Sequence, residues 1–285
     1  MKKVNTKNLI KISERRNSNV YVSNDKKWLY KFPTTCLENE IDHYKKDIEK
    51  TNYILSLGIK TPKIGDIIED ENGNIGLEYE YIKNKISFSR AVSENPDKVD
   101  EYMKELAKIT KPLHNIKCNN DKIRKITDII KEDLVIRKDI YNDERIKVIN
   151  NILNTIEDTD TFLHLDFQPG NYIMSNDDRY IIDLFTICKG NSIYDIGTFY
   201  YLYHNISENG TKNLSRCDKN LSEKMWRHFI KHYYNFNGEK EVDVFNEYIK
   251  PYAILSAIAL DMFIPLEHVQ QYIDKNFENI MHKYL

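Results

Sequence analysis

The stretch from Thr161 to Gly197, TFLHLDFQPGNYIMSNDDRYIIDLFTICKGNSIYDIG, constrains this chain more than any other. TFLHL is apolar and β-prone, Asp166 to Gly170 is rich in helix and strand breakers, and NYIM and RYIID are short β-branched and aromatic runs separated by SNDD. The order is therefore strand, polar loop, strand, tight turn, strand, and then a second acidic signal at Asp195. This pattern predicts Asp166, Asn171 and Asp183 at strand ends facing one cleft. A carboxylate, an amide and a second carboxylate suit phosphoryl transfer from a metal nucleotide. One carboxylate orients the attacking hydroxyl and accepts its proton, while the amide and the other carboxylate offer oxygens to the hard cation Mg²⁺. Taken singly, Asp and Asn are ordinary turn formers; it is their combination with the strand context that points to chemistry.

His164-x-Asp166-x-x-x-x-Asn171, followed by Ile182-Asp183, resembles the catalytic loop and metal-binding aspartate of the aminoglycoside phosphotransferase and choline kinase superfamily. Gly190-Asn191-Ser192-Ile193-Tyr194-Asp195-Ile196-Gly197 is similar to that superfamily's Gly-x-Pro-x-x-Asp-Leu-Ala segment, with Asn191 and Ser192 as departures. The resemblance implies an α+β, protein-kinase-like, two-lobed fold. It comprises a small antiparallel β-sheet lobe with one helix over residues 1–82, which binds nucleotide, and a larger, mostly helical catalytic and substrate-binding lobe over 83–285. It further implies transfer of the γ-phosphate of ATP or GTP to a hydroxyl of a small molecule such as an aminoglycoside, choline, or a related amino or sugar alcohol. Asp166 would be the base, Asn171 and Asp183 the Mg²⁺ ligands, Asp195 a brace for the catalytic loop and His164 a structural residue. Asp183 is followed by Leu184-Phe185 where many relatives have a glycine nearby.

Residues 9 to 32 read as strand, loop, strand, turn, strand, and alternation in Trp28-Leu29-Tyr30-Lys31-Phe32 puts Lys31 on the face of Leu29. A lysine on the inward face of a strand needs a partner, because burying an unpaired ammonium is costly. The resemblance implies that Lys31 touches the α- and β-phosphates and pairs with an acid on the next helix. That helix is expected over 38–57, with Ile41, Tyr44, Ile48 and Leu55 as its apolar stripe and Gly58 ending it. Asp47, Glu49 and Glu40 are the candidate acids. The loop Glu14 to Asn19 contains no glycine, so the close backbone approach to phosphate that a glycine-rich lid permits is missing, although Ser18 and its neighbouring amides remain available. Two further strands flank a hairpin turn at Asp70 to Asn74, and the resemblance places adenine along the backbone of Glu80, Tyr81 and Ile82.

Beyond Ile82 the pattern turns helical: 96–116, with Leu113-His114 near its end and His114 as a packing residue; two helices within 122–156 broken near Tyr141-Asn142-Asp143; then 198–206, 221–236, 242–263 and 266–284, with a polar connection over 207–217. Phe199, Tyr200, Tyr201 and Tyr203, with Trp226, Tyr233 and Tyr234, offer either a cage for a quaternary ammonium or plain aromatic core. Acids such as Glu208, Asp261 and Glu267 could meet an amine-rich acceptor or simply be solvated.

The 285 residues suffice for a large core, and a formal net charge of −2 argues against a bulk nucleic-acid binder. Cys36, Cys118, Cys188 and Cys217 lie far apart without a CxxC pair, which fits reduced thiols in a cytoplasm rather than zinc or a disulfide framework. The N-terminus lacks a continuous apolar core, so no signal peptide is expected, and the apolar run 252–265 is too short to span a bilayer. Two alternatives to a small-molecule kinase stand beside it. Eleven residues between Asp183 and Asp195 leave little room for the activation segment of a protein kinase, and the glycine-free loop is the feature that suggests a nucleotide-binding pseudokinase or interaction module without turnover.

Overall fold

A computed structural model describes residues 1–15, 18–34, 40–138, 140–176, 178–205, 216–263 and 269–284. The expected polar connection over 207–217, the acids Glu208 and Glu267, Cys36 and the start of the helix expected from Glu38 fall wholly or partly outside these residues. The chain divides into two compact units, one formed by Met1–Ile86 with Ile173–Phe185 and the other by Ser87–Tyr172 with Thr186–Leu285.

The first unit is built on a six-stranded sheet. Its strands are β1 (Lys2–Lys3), β2 (Ile10–Arg15), β3 (Ser18–Val22), β4 (Trp28–Pro33), β5 (Ile64–Glu69) and β6 (Ile75–Glu80), in the spatial order β1-β5-β6-β4-β3-β2. All neighbours are antiparallel except β1, which lies parallel to β5. Alternation and register together assign the faces. Lys31 lies opposite Val20 on β3 and Leu77 on β6, and Leu29 lies opposite Val22 and Tyr79. The other face carries Tyr30, Phe32 and Ile68, over which Val4, Leu9, Tyr21 and Trp28 pack. Lys2 of β1 crosses to Glu78 at 2.5 Å, so a carboxylate buried within the sheet gains a counter-ion from the very start of the chain. Nothing in MKK advertises a strand; β1 exists because β5 offers an open edge.

Helix α1 (Glu40–Ser56) packs on β5 and β6, buries Tyr44, Thr51 and Ile54, and is followed by Gly58 at φ +80°, the left-handed conformation a glycine adopts without penalty. After β7 (Ile86–Ser87), α2 (Phe88–Glu94) opens the second unit, where Ser87 caps it by accepting from the Arg90 N–H. Then come α3 (Val99–Leu113), α4 (Ile126–Ile136) and α5 (Asp143–Leu153), the last two separated at the expected break and α5 capped by Asn142. Strand β8 (Phe162–Leu163) leads into the loop that carries Asp166, β9 (Tyr172–Ser175) and β10 (Asp178–Ile181) are adjacent, and β11 (Cys188–Lys189) returns antiparallel to β8.

Helix α6 runs Ile193–Tyr200 and continues as a π-helical turn over Tyr201–Asn205, so it begins inside the motif and five residues earlier than its apolar pattern suggested. α7 (Lys219–Tyr234), α8 (Glu239–Asp261) and α9 (Val269–Tyr284) complete the unit. From Pro251 onward α8 is buried on every side, as expected of a helix whose sequence there is apolar all round. α6 crosses α8 closely at Gly197, where a Cβ would stand 2.5 Å from Ser256 Oγ and 3.0 Å from the Tyr252 carbonyl. Of the aromatic cluster considered as an ammonium cage, the rings around Phe199 are core, whereas Tyr234 is exposed. Phe199 sits 4.7 Å from Tyr203 and 4.9 Å from Phe229 between ring centroids, Tyr200 sits 5.2 Å from Trp226, and all five rings are buried.

Candidate active site

The candidate residues fall into one group in each unit. In the first, Lys31 Nζ donates to Asp183 Oδ1 at 3.0 Å. Asp183 has φ +59°, a left-handed conformation that Asp tolerates better than most residues. Lys50 Nζ lies 3.4 Å from the carbonyl of Phe185, two residues on.

Of the three acids proposed on α1, Asp47 lies in the fields of His43, Lys50 and Lys31. Burial raises its pKa, and the charges of His43, Lys50 and Lys31 oppose that rise. Glu40 instead accepts a bond from the Tyr44 hydroxyl at 2.9 Å, and Glu49 is exposed. Ser18 is buried at the start of β3, on the Val20 side of the strand and so on the face of Lys31. Past the end of β6, the Glu80 N–H is committed to the Lys63 carbonyl and the Tyr81 N–H to the Lys27 carbonyl, both at 2.8 Å, and Ile82 is buried.

In the second unit the loop after β8 is held from both sides. The carboxylate of Asp195, fully buried in the first turn of α6, accepts the backbone N–H of His164 at 2.9 Å and of Leu165 at 2.8 Å. His114 Nε2 lies 3.1 Å from the same carboxylate, with Nδ1 2.7 Å from the Tyr233 hydroxyl. Three donors therefore satisfy a charge that would otherwise be prohibitive to bury. Thr186 Oγ1 donates to the His164 carbonyl at 2.7 Å.

Within this frame the Asp166 N–H donates back to the His164 carbonyl at 2.9 Å, and the intervening Leu165 has φ +64°. That is a γ-turn around a buried leucine, a rare and strained conformation. The turn delivers Asp166 at the head of the loop. Gln168 Nε2 donates to Asp166 Oδ1 at 2.9 Å, and Asn171 Nδ2 donates to Asp166 Oδ2 at 2.8 Å and to the Asp166 carbonyl at 2.9 Å. Each carboxylate oxygen thus receives one amide hydrogen, which fixes the side chain without neutralising it. Nearby, burial pushes the Tyr203 hydroxyl well up, opposed by its bond to Ser89 and reinforced by the charge of Asp166. Gln168 and His114 were not singled out for these roles from the sequence. Gln168 falls at a position that the motif leaves unspecified, and the bond from His114 to Asp195 spans 81 residues.

One unit thus presents a carboxylate and an amide on a braced loop, and the other a strand lysine tied to an aspartate, the residue types that phosphoryl transfer uses. The chain belongs to the phosphotransferase enzyme family, whose model matches residues 11–216. It is a small-molecule phosphotransferase with an alcohol group as acceptor, and its fold is the protein-kinase-like one. Among solved structures it is similar to a thermostable mutant of aminoglycoside phosphotransferase APH(4)-Ia, at TM-score 0.61 and 11% identity over 96% of this chain and 94% of that one. The ethanolamine kinase of Plasmodium vivax aligns at TM-score 0.57 and 17% identity, over 97% and 84% of the two chains. The streptomycin–ATP–APH(2")-IIa ternary complex aligns at 0.55 and 15%, over 97% and 93%. Comparison with curated proteins gives no match. No helix among the described residues is long and apolar enough to cross a membrane.

Proposed function

We propose that this enzyme transfers the γ-phosphate of ATP or GTP to a hydroxyl of an aminoglycoside, choline, or a related amino or sugar alcohol, with Asp166 as the catalytic base. The observation that carries this reading is the double amide clamp on Asp166, which holds its carboxylate in one orientation at the head of a strained turn. An acceptor hydroxyl bound there is oriented by the carboxylate and gives up its proton to it. Because phosphoryl transfer in most analyses passes through a loose transition state, positioning and charge neutralisation supply most of the rate.

Asn171 and Asp183 are the residues that would hold Mg²⁺. The donor set fits: the Asn171 NH₂ group is spent on Asp166, which leaves its oxygen as the face it can offer, and Asp183, which accepts from Lys31, brings the hard carboxylate oxygens that Mg²⁺ prefers. When bound, Mg²⁺ supplies charge neutralisation for the β- and γ-phosphates. Lys31 steadies the phosphates, with Asp47 as its acid on α1 and Ser18 on the same face of the sheet. Because the N–H groups of Glu80 and Tyr81 are already used, we assign the adenine edge to the Glu80 carbonyl and the Ile82 backbone. ATP accords with the ATP complex of a structural neighbour. A cytoplasmic setting accords with the widely spaced, buried Cys118, Cys188 and Cys217.

The test is release of ADP or GDP in the presence of Mg²⁺ across aminoglycosides, choline, ethanolamine, thiamine and sugars, with Asp166→Ala as control. Turnover on one acceptor that Asp166→Ala abolishes, with nucleotide binding retained, supports the reading. Nucleotide binding without turnover on any acceptor supports a pseudokinase instead.

A further inference from the structure

Helix α6 and its π-helical continuation meet the loop that carries Asp166 through Asp195, Phe199 and Tyr203, side chains spaced four residues apart. Asp195 takes the His164 and Leu165 N–H groups. Phe199 stands edge-on to Phe167 of the loop, with 5.6 Å between centroids, and Tyr203 stands edge-on to Phe199. In a regular α-helix, residues four apart overshoot one turn of about 3.6 residues, so such a stripe drifts round the helix. The π-helical turn Tyr201–Asn205 is wider and takes up that overshoot, which keeps Tyr203 on the side of the loop.

What Tyr203 reaches there is a serine. Its hydroxyl lies 3.0 Å from Ser89 Oγ, and both residues are buried. Ser89 belongs to α2, which packs on the turn Pro169–Asn171 of the same loop. At Gly170 the space a Cβ would take is bordered by Gln168 Oε1 at 3.4 Å and by Ser89 Oγ at 3.7 Å. The Gln168 carboxamide, whose nitrogen donates to Asp166 Oδ1, therefore has its oxygen beside Gly170 in the same space as the serine hydroxyl. Burial keeps the Tyr203 phenol neutral, so the bond to Ser89 joins two uncharged hydroxyls. A tyrosine serving only to fill the core would do so equally well as phenylalanine, with no buried hydroxyl to satisfy.

We infer that Tyr203 and Ser89 are positioning residues of the phosphotransfer reaction: the bond between their hydroxyls holds α2 against the loop at Gly170 and thereby keeps the Gln168 carboxamide on Asp166. The inference rests on Asp166 being the base. α6 then fixes the loop twice, through Asp195 at the backbone just before Asp166 and through Tyr203 and Ser89 behind the amide that holds Asp166 Oδ1. A small displacement of a reacting group slows the chemical step while leaving remote binding contacts as they were.

The experiment has one readout that needs no turnover. In amide-detected NMR spectra of the deuterated full-length protein, the Gln168 side-chain NH₂ pair is identified by its loss in Gln168→Leu. Tyr203→Phe and Ser89→Ala should each move that pair toward the position of a free carboxamide and speed its exchange with water. On the acceptor turned over fastest in the product-release panel, each should lower kcat by about three- to tenfold, the scale of one neutral hydrogen bond, with the nucleotide KM within about twofold. In the Gln168→Leu background neither should lower kcat further, because the group they act through is gone. Removing both hydroxyls leaves neither of them unpaired, so Ser89→Ala/Tyr203→Phe should melt closer to wild type than either single variant while kcat stays low. Unchanged Gln168 resonances in both single variants, or a kcat that recovers together with stability in the double variant, would overturn the assignment. If the wild type turns over no acceptor, the phosphotransfer reading fails, and the Gln168 resonances alone decide whether the hydroxyl pair holds the amide.

Discussion

Asn171 holds Asp166 twice, its Nδ2 donating to both the backbone carbonyl and the carboxylate of the same residue. Both acceptors lack hydrogens to give, so the amide must present its NH₂ group inward and its oxygen elsewhere. The orientation that the proposed metal role requires of Asn171 is thereby set by a residue five positions away. Asn171→Asp keeps the size and reverses the chemistry, placing a second carboxylate against Asp166. We expect it to cost about 1–3 kcal/mol of stability without metal at neutral pH, the penalty for leaving buried polar groups opposed. The loss should shrink on acidification, because two carboxylates sharing a site take up a proton more readily than either alone. Urea denaturation in EDTA at two pH values measures it, and Asn171→Ala should show no comparable pH dependence.

Gln168 supplies the other half of the clamp at 2.9 Å. A hydrogen bond to an ionised group contributes about 1.5–3 kcal/mol, so its loss reaches tenfold or more in rate if the geometry it fixes matters in the transition state. Gln168→Leu is expected to lower kcat at least tenfold while leaving the nucleotide KM within about twofold, since it alters orientation and not phosphate binding. Steady-state kinetics on the acceptor identified by the product-release panel give both parameters. A rise in nucleotide KM with kcat intact would place Gln168 in nucleotide binding instead.

What the sequence made legible was local. Asp166 and Asn171 belong to one short loop, so their spacing alone brings them together, and strand alternation put Lys31 on the face of Leu29, where it lies opposite Val20. The bond from Lys31 to Asp183 joins residues 152 apart, and periodicity reports a face without naming the partner on it. The same limit hid the pairing of Lys2 with Glu78 and left the choice among Asp47, Glu49 and Glu40 open. α6 began earlier than expected because Gly190-Asn191-Ser192 reads as a turn, while Asp195 in its first turn is drawn to the loop amides it caps. The aromatic cluster around Phe199 had two readings that composition alone could not separate. Only the ring-to-ring packing distinguishes them.

Leu165 combines a buried side chain with a left-handed backbone. Truncation to alanine loses about 2–5 kcal/mol of burial and retains the backbone strain. Truncation to glycine loses the same burial yet relieves strain worth about 1–2 kcal/mol, offset in part by the greater freedom of glycine in the unfolded chain. Leu165→Gly is therefore expected to be at least as stable as Leu165→Ala, a reversal of the order found in helices and strands. Thermal unfolding of the two variants side by side decides it: a glycine variant melting well below the alanine variant would mean that Leu165 is not strained in solution.

Asp47 contributes one pH dependence to the first unit. Burial raises its pKa against the pull of His43, Lys50 and Lys31, so the folded protein holds this proton more tightly than the unfolded chain does. The contribution to stability is therefore fully present below the unfolded value of about 3.9 and is lost as pH rises through the raised folded value. At neutral pH the ionised carboxylate is a net burden on the fold, tolerated beside Lys31. Asp47→Asn should accordingly melt at or above the wild-type temperature at pH 7, with the difference closing as the pH is lowered toward 4. If Asp47 is also the acid that orients Lys31 toward the phosphates, the same variant should raise the nucleotide KM, whereas Glu49→Gln should change neither property. A variant less stable at pH 7 than at pH 4, relative to wild type, would show that the attraction of His43, Lys50 and Lys31 outweighs the burial of the charge.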